Sequence, residues 1–545
     1  MFRSIWSKSL RDYRVAILGW GIGLGVLMAA GFAEATPAVI SGFSVLAQLF
    51  RFLGEPYAIQ TPEGFLTFRW MGAFLPLILS FWPILAGARM VRGEEERGTM
   101  EVLLATPQPR ARLLLEKIGA LLIALILIAL LFALGTVAGE AHLGGQHVDI
   151  GRALLTGLNL ILLAFFFGML ALLLSQLTIS RGAAAGWTSG LLLLALLLDS
   201  TGRLVNGSWV QYLSPFYYYN LNRPLIASFP DQPLAALLLV GLCALCIVGS
   251  LILFSRRDIG RQAFSWQRKQ ANGAQQVIRN LRQAERAAST RNVVLHTLTE
   301  DGWSAFWWLL GVVALCAYCL VLALTLQQPF YKLVQETPLL QQLFFDTPTN
   351  TNAALLGTFL FTFLPALIVI FALTLALKWA ADLENGRLEL ILSTPQSRPK
   401  ILLERFGANV LVVLLAPILT WLAIMIGAQL ADLPVDQGRV LAASFNVFPM
   451  ALITLGLVYA LAGRLRYTAV LGIVTAYLVL AFMEELLEGM IQFPGWLMSL
   501  SIFHLYGNPV FLGVNWSNFL GMTVVAIVLL VISLIQFRYA DVEPG

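Results

Sequence analysis

The sequence predicts an all-α integral membrane protein in which twelve transmembrane helices form two parallel six-helix repeats. Of its 545 residues, 58% are hydrophobic and only 12% are charged, whereas a soluble protein carries about 25% charged residues. Many runs of about 20 residues lack charge, which is the length that crosses a bilayer as a helix. One polar stretch between two such runs occurs twice, at positions 94–110 and 382–398.

The first half begins with a basic segment that predicts an interfacial helix. Residues 1–14 alternate four basic residues with apolar ones at helical spacing, as in helices that lie in the membrane interface. A signal peptide is the alternative, since Ala33-Glu34-Ala35 resembles a cleavage site. We favour an uncleaved first span, because the apolar run 15–32 exceeds the signal-peptide core of about 7–15 residues. The other predicted spans of this half are 71–90, 118–139, 153–177, 183–198 and 234–254.

The second half repeats this plan, again with an interfacial helix before its first span. The sequence Phe74-Leu75-Pro76 recurs as Phe363-Leu364-Pro365, which predicts the same proline kink in the second span of each half. Long outer segments, 199–233 and 484–515, precede the last span of each half. The predicted spans of the second half are 305–326, 355–380, 406–430, 441–462, 468–483 and 517–537.

Positive charges predict the topology and the domains. With both termini and both polar stretches in the cytoplasm, 28 of the 35 Lys and Arg residues lie inside, as the positive-inside rule requires. An even number of spans per half then makes the repeats parallel. We predict two membrane halves, 1–255 and 303–545, and a basic cytoplasmic linker, 256–302. Nine basic residues in the linker suit anionic lipid better than nucleic acid.

The sequence lacks the motifs that mark common catalytic sites. The sequence contains no Gly-Lys pair and therefore no phosphate-binding Gly-x-x-x-x-Gly-Lys-Ser/Thr loop. His142 and His147 form a weak candidate for a metal site in a short outer loop. Two Cys-x-x-Cys pairs, at 243/246 and 316/319, fall inside predicted spans, where we expect them to pack as small apolar side chains rather than bind zinc or act in redox chemistry. We therefore predict neither an enzyme nor a metal protein.

Ionisable residues deep in a span would indicate a proton or ion pathway, and few are present. Glu34, Asp199, Glu484, Glu485 and Glu488 are predicted at the outer ends of spans. This weakens, without excluding, an ion-coupled secondary transporter. A path lined by neutral and aromatic side chains suits an amphipathic or apolar cargo better.

The repeated polar stretch, which we call the connector, is the main functional candidate. Ten of twenty positions match between 98–117 and 386–405, among them Gly98/Gly386 and Glu101/Glu389. Gly98 allows a sharp turn, residues 99–105 can form two helical turns, and Pro107 ends them. The connector is either an ordinary loop duplicated with its gene or a short amphipathic helix that docks a twofold soluble partner, with Glu96 and Glu101 available to that partner. We favour docking.

The pattern Glu-x-Gly-x-x-Glu-x-Leu-Leu-x-Thr-Pro-x-x-Arg between spans 2 and 3 resembles permeases of type-2 ATP-binding-cassette (ABC) exporters. The duplicated twelve-span form is similar to bacterial tetronasin-resistance and multidrug exporter permeases. This resemblance implies a dimer of ABC ATPase subunits on the cytoplasmic face, with ATP and Mg bound there and no cofactor in this chain. The implied coupling residues are Glu96, Gly98, Glu101, Thr106, Pro107, Arg110, Glu384, Gly386, Glu389, Thr394, Pro395 and Arg398.

The resemblance further implies ATP-driven export of antibiotic-like compounds by alternating access, in the cell membrane of a bacterium. A secondary transporter and a membrane sensor or scaffold that transports nothing remain the alternatives. The two connectors differ, because the acidic run at 94–96 becomes Asp382-Leu383-Glu384 and Arg97 becomes Asn385. We therefore expect two docking sites that are not equivalent.

Overall fold

The chain divides into two compact units, Met1–Lys269 (unit 1) and Gln270–Gly545 (unit 2). The computed structural model describes residues 5–47, 50–96, 98–105, 109–141, 148–178, 180–204, 208–257, 293–336, 355–357, 359–384, 397–487, 494–510 and 512–539. Every regular element among these residues is helical. Twelve helical segments of the described chain are long and apolar enough to cross a membrane, six in each unit. The predicted fold class and number of spans are thus confirmed.

In its described residues unit 1 has ten α-helices, six of which are candidate spans. Short helices lie between the first and second spans, in the connector, and before the sixth span. The helices are α1 (Ile5–Glu34), α2 (Pro37–Leu46), α3 (Pro62–Leu66), α4 (Phe74–Ala88), α5 (Thr99–Leu104), α6 (Arg110–Ala141), α7 (Ile150–Leu177), α8 (Arg181–Leu204), α9 (Pro215–Asn220) and α10 (Pro233–Arg256).

Unit 2 follows the same order of long helices in its described residues. Its fourth span is divided into two helices at Val447, because Pro449 occupies the first turn of the second. The helices are α11 (Val293–Glu336), α12 (Leu364–Glu384), α13 (Arg398–Leu430), α14 (Gln437–Asn446), α15 (Phe448–Ala462), α16 (Tyr467–Leu487), α17 (Gly495–Met498), α18 (Ile502–Tyr506) and α19 (Trp516–Tyr539).

The first helix of unit 1 differs from the prediction, whereas residues 258–292, before the first helix of unit 2, lie outside the described residues. No separate interfacial helix precedes the first span in the described residues, because α1 runs unbroken from Ile5 through Glu34. At 1.5 Å per residue it is about 45 Å long, and α11 is about 66 Å long. Both exceed a hydrocarbon core of about 30 Å, and in unit 1 the amphipathic segment and the span form one continuous helix.

The repeated proline is also placed differently from the prediction. Pro76 and Pro365 are the third and second residues of α4 and α12, in the first turn, where a missing N–H costs little. They begin these helices and do not kink them. The interior proline of α4 is Pro83, and α4 is flanked by π-helical turns at Thr67–Met71 and Arg89–Gly93.

The segment before the last span makes equivalent contacts in both units. Ser214 Oγ donates to Ala195 O over 2.6 Å in unit 1, and Ser501 Oγ donates to Ala481 O over 3.2 Å in unit 2. Asn159 Nδ2 donates to Tyr219 O over 3.1 Å, and Asn446 Nδ2 donates to Tyr506 O over 3.0 Å. Each segment is therefore fastened to the fourth and fifth spans of its own unit.

The acidic residues that were predicted at the outer ends of spans have different surroundings. Glu34 accepts from Arg69 over 2.7 Å, and Asp199 forms a buried ion pair with Arg203. Glu484 is 5% exposed, and neither of its carboxylate oxygens has a hydrogen-bond partner in the described structure. Glu488 lies outside the described residues.

Candidate functional site at the repeated connector

The connector of unit 1 begins with the sharp turn that the sequence predicted. Gly98 has φ +69°, a left-handed conformation that side chains with a Cβ rarely adopt. Its N–H donates to Glu95 O over 3.1 Å, and Thr99 Oγ1 donates to Glu94 O over 3.2 Å. These bonds close the turn directly before α5, so the predicted short helix is present.

Helix α5 presents one side to unit 1 and another to solvent. Met100 is fully buried and belongs to the apolar core cluster of unit 1. Thr99 and Glu101, on either side of it in sequence, are exposed. Met100 therefore acts as an apolar anchor that holds α5 against the spans, while the Glu101 carboxylate remains accessible. Of the other predicted residues, Thr106 and Pro107 lie outside the described residues.

Glu95 is the centre of a buried ionic network behind α5. One of its oxygens accepts from Arg92 over 2.7 Å, and the other pairs with Arg257 just after α10. Arg92 also donates to Ser175 O over 3.0 Å, and Arg110 donates to Arg257 O over 2.8 Å. This network joins the connector to the ends of α7 and α10 and to the start of α6. The predicted coupling residue Arg110 thus contacts its own unit.

Electrostatics explain why this network holds together away from water. The side chains of Arg92, Glu95 and Arg257 are 3%, 5% and 2% exposed. Burial lowers the pKa of the Arg257 guanidinium, and the Glu95 carboxylate opposes that shift. Removing one member of such a set leaves an uncompensated buried charge, which costs far more than a surface pair.

A second ion pair occurs in both units at matching positions. Lys117 Nζ lies 2.5 Å from Glu94 Oε2 and donates to Met90 O over 2.9 Å. Asp382 and Arg405 form the corresponding pair in unit 2, at an offset of 288 residues for both members. In each unit the pair joins the end of the second span to the start of the third.

Glu96 and Glu384, both predicted as coupling residues, contact the fifth span of their own units. Arg181 N donates to Glu96 Oε1 over 2.8 Å, and Tyr467 N donates to Glu384 Oε2 over 2.7 Å. Arg181 and Tyr467 are the first residues of α8 and α16. Both carboxylates thus have partners within the chain, which sequence reasoning had not anticipated.

The unit 2 connector is described only at its two ends. Glu384 ends α12 and Arg398 begins α13. The four other predicted residues of this connector lie outside the described residues: Gly386, Glu389, Thr394 and Pro395.

The described ends of the two connectors have different surroundings. The positions of Arg92 and Glu95 are Ala380 and Leu383 in unit 2, so the arginine–glutamate network cannot form there. Unit 2 instead stacks Trp379 on Tyr459 with ring centroids 5.2 Å apart. The Arg405 guanidinium lies 5.7 Å from the Trp379 ring centroid.

Other candidates from the sequence do not form a reactive site in the described chain. Cys243 and Cys246 on α10, and Cys316 and Cys319 on α11, are buried free thiols, as expected for packing residues. No cluster of three or more His, Cys, Asp or Glu residues in the described part could hold a metal ion. His142 and His147 lie outside the described residues.

Two comparisons with protein families cover nearly the whole chain. Residues 8–259 match the model described as ABC-2 family transporter protein. Residues 300–538 match the model described as multidrug efflux system permease Rv1217c, C-terminal domain. No curated protein matches the chain.

The twelve apolar helices and these matches define a multi-pass membrane permease of an ABC exporter. The chain belongs to the ABC-2 type multidrug permeases. Membership implies partnership with an ABC ATPase, which in such systems is generally a separate subunit. The family that the connector pattern indicated is therefore confirmed.

Proposed function

We propose that this permease exports amphipathic or apolar, drug-like compounds by alternating access, driven by a dimer of ABC ATPase subunits. The ATPases bind ATP and Mg and dock on the cytoplasmic face, against α5 and the counterpart that follows Gly386. The permease itself supplies no cofactor and no catalytic site. It lies in the cell membrane of a bacterium with both termini in the cytoplasm.

The observation that carries this proposal is the attachment of α5. Met100 fastens the helix to the core of unit 1, while Glu101 beside it is exposed. A partner that carries a basic residue can therefore bind Glu101 and push on a helix that is already joined to the spans. An ordinary loop would not need a buried apolar anchor between two exposed residues.

The ionic contacts behind α5 provide the route by which such a push reaches the spans. Glu95 joins the connector to Arg257 after α10, and Lys117 joins it to α6. A displacement of α5 therefore moves several helices together. Shifting a two-state equilibrium from 1:99 to 99:1 takes about 5.5 kcal/mol of differential binding, which a nucleotide-driven partner pressing on two connectors is expected to provide.

The arrangement of the halves is part of the same proposal. Each unit has six candidate spans in its described residues, the even number that the sequence prediction of parallel repeats requires. The predicted basic linker, 256–302, lies mostly outside the described residues, and its attraction to anionic lipid stays a prediction from its charge. The spans carry few charges, which supports an apolar or amphipathic cargo.

Charge reversal in the connector tests the proposal. The permease and the ABC ATPase that co-purifies with it from its host are reconstituted in liposomes, with Nile red and ethidium as transport probes. We expect Glu101→Arg or Glu389→Arg to reduce ATP-driven transport at least about tenfold, since a like-charge contact costs roughly 1.4 kcal/mol or more. Glu300→Arg is the matched control, because Glu300 is an exposed glutamate at the start of α11.

Three results would contradict the proposal. One is normal transport by both connector variants at normal membrane levels. Another is transport that persists without ATP and stops with a protonophore, which would indicate a secondary transporter. The third is the absence of any co-purifying ATPase and of any transport, which would indicate a sensor or scaffold.

A further inference from the structure

One contact of the connector has the same form in both units although the residues on its other side differ. Glu96 accepts the backbone N–H of Arg181 over 2.8 Å. Glu384 accepts the backbone N–H of Tyr467 over 2.7 Å. Arg181 and Tyr467 have unlike side chains. What the two units share is a glutamate carboxylate that accepts the first backbone N–H of the fifth span.

The location of this amide explains the use of a carboxylate. The first N–H groups of an α-helix have no partner within the helix, and the partial positive charge there favours an anion. In unit 1, Ser180 Oγ accepts from Ala183 N over 3.1 Å, which leaves the Arg181 amide for Glu96. Arg181 Nε adds a side-chain contact of 3.2 Å to Glu96.

Both glutamates are supplied by the second span and lie at the entrance to the connector. Glu96 is two residues before the Gly98 turn, and its own N–H donates to Arg92 O over 2.9 Å. Glu384 is the last residue of α12, two residues before Gly386. A movement of either connector therefore acts at once on the first turn of the fifth span.

The fifth span leads from the connector to the opposite end of its unit. In unit 1, Ser200 Oγ near the end of α8 donates to Phe52 O over 2.7 Å. Ser214 bonds to Ala195 of α8, as Ser501 bonds to Ala481 of α16. A helix fixed at both ends transmits a displacement as a rigid body.

We propose that Glu96 and Glu384 are positioning residues that fasten the first turn of α8 and of α16 to the connectors, and so make the fifth span of each half follow its connector. They do not act as docking charges for the ATPase. The source of the movement rests on the proposed function, whereas the fastening itself is a property of the permease alone.

Glutamine and alanine distinguish a cap from a docking charge. The Gln side-chain oxygen can still accept a backbone N–H, whereas Ala cannot. A capping role therefore predicts that Glu96→Gln and Glu384→Gln stay close to the wild type and that the Ala variants fail. A docking charge predicts that Gln fails as badly as Ala. Glu300→Ala serves as the control for loss of an exposed glutamate.

The first measurement uses the permease alone in nanodiscs. Hydrogen–deuterium exchange is followed in peptides that cover residues 178–186 and 464–472. Loss of a helix cap costs about 1 kcal/mol, so we expect about fivefold faster exchange at the first turn in each Ala variant. The Gln variants should stay within about twofold. Unchanged exchange in both Ala variants would overturn the proposal.

The second measurement adds the ATPase and records ATP hydrolysis and probe transport together. We expect the Glu96→Ala, Glu384→Ala double variant to hydrolyse ATP at a normal rate while transport falls at least about fivefold. The double Gln variant should keep its transport. Equal losses in the Ala and Gln variants would assign the carboxylates to docking and refute the inference.

The two measurements separate this inference from the proposed function. If exchange responds as expected but Glu101→Arg has no effect on transport, the cap stands and the docking assignment fails. If exchange responds and the double Ala variant transports normally, the cap is structural only, and the coupling role is refuted.

Discussion

The Lys117 ammonium lies 2.5 Å from the Glu94 carboxylate, and the lysine side chain is only 5% exposed. In unit 2 the longer base, Arg405, pairs with the shorter acid, Asp382. The longer side chain of the base thus compensates for the shorter side chain of the acid. Each pair fixes the start of the third span to the end of the second, next to the connector.

Breaking this pair is expected to destabilise unit 1. Lys117→Met leaves Glu94 without its partner, and removing one member of a buried pair costs about 3–5 kcal/mol. Lys117→Arg combined with Glu94→Asp transplants the unit 2 pair and should restore most of the loss. Thermal unfolding of the detergent-solubilised permease, followed by tryptophan fluorescence, measures both effects.

The control for that prediction is the pair of Arg112 and Glu116, in which the arginine is 67% exposed. Arg112→Met should change stability by less than about 1 kcal/mol, as for other surface pairs. The buried pair would have no special role if Lys117→Met and Arg112→Met gave the same melting temperature.

Much of the fold was predictable because span length and hydropathy are local properties. The twelve spans and the helix after Gly98 followed from runs of apolar residues and from a glycine before a helical pattern. The separate interfacial helix was wrong, because nothing in residues 1–14 stops a helix before the apolar run. The kink at Pro76 was wrong because a proline only bends a helix that has already begun, and α4 begins at Phe74.

The contacts around the connector were less predictable. The pairing of Glu94 with Lys117 joins two helices, so no helical period indicates it. A signal was nevertheless present, since an acid and a base 23 residues apart recur as Asp382 and Arg405. Glu96 was predicted to face a partner, because a carboxylate that caps a distant helix cannot be distinguished by sequence from one that is free.

The anchor of α5 gives a second prediction. Met100→Ala removes a fully buried side chain, a change that costs about 2–5 kcal/mol in a packed core. Because α5 is only six residues long and its Thr99 and Glu101 are exposed, we expect the helix to detach rather than the unit to unfold. Trypsin should then cleave at Arg97 at least about tenfold faster.

Met100→Leu is the matched control, since a volume-conserving apolar exchange usually costs less than about 1.5 kcal/mol. It should keep the wild-type cleavage rate. Intact tryptophan fluorescence in both variants would show that the spans remain folded. Resistance of Met100→Ala to trypsin at Arg97 would mean that other contacts hold α5 in place.

The last prediction concerns the close packing of α1 and α6. Gly25 and Gly135 meet backbone to backbone, and a Cβ at Gly135 would lie 2.3 Å from Gly25 Cα. Each glycine has a second one four residues away, Gly21 and Gly139, the spacing that lets membrane helices approach closely. The corresponding positions in unit 2 are Val313 and Ala423, so α11 and α13 cannot approach in this way.

We therefore expect Gly135→Ala to force α1 and α6 apart and to destabilise the permease by about 1–3 kcal/mol, as overpacking does. Gly407→Ala, in α13, is the control, because no atom lies within 4 Å of its added Cβ and alanine is favoured over glycine in a helix by about 1 kcal/mol. The two substitutions are chemically identical and should shift the melting temperature in opposite directions. If Gly135→Ala were as stable as Gly407→Ala, the close contact between Gly25 and Gly135 would not constrain the packing of α1 against α6, and these two spans could not serve as a rigid base for the connector.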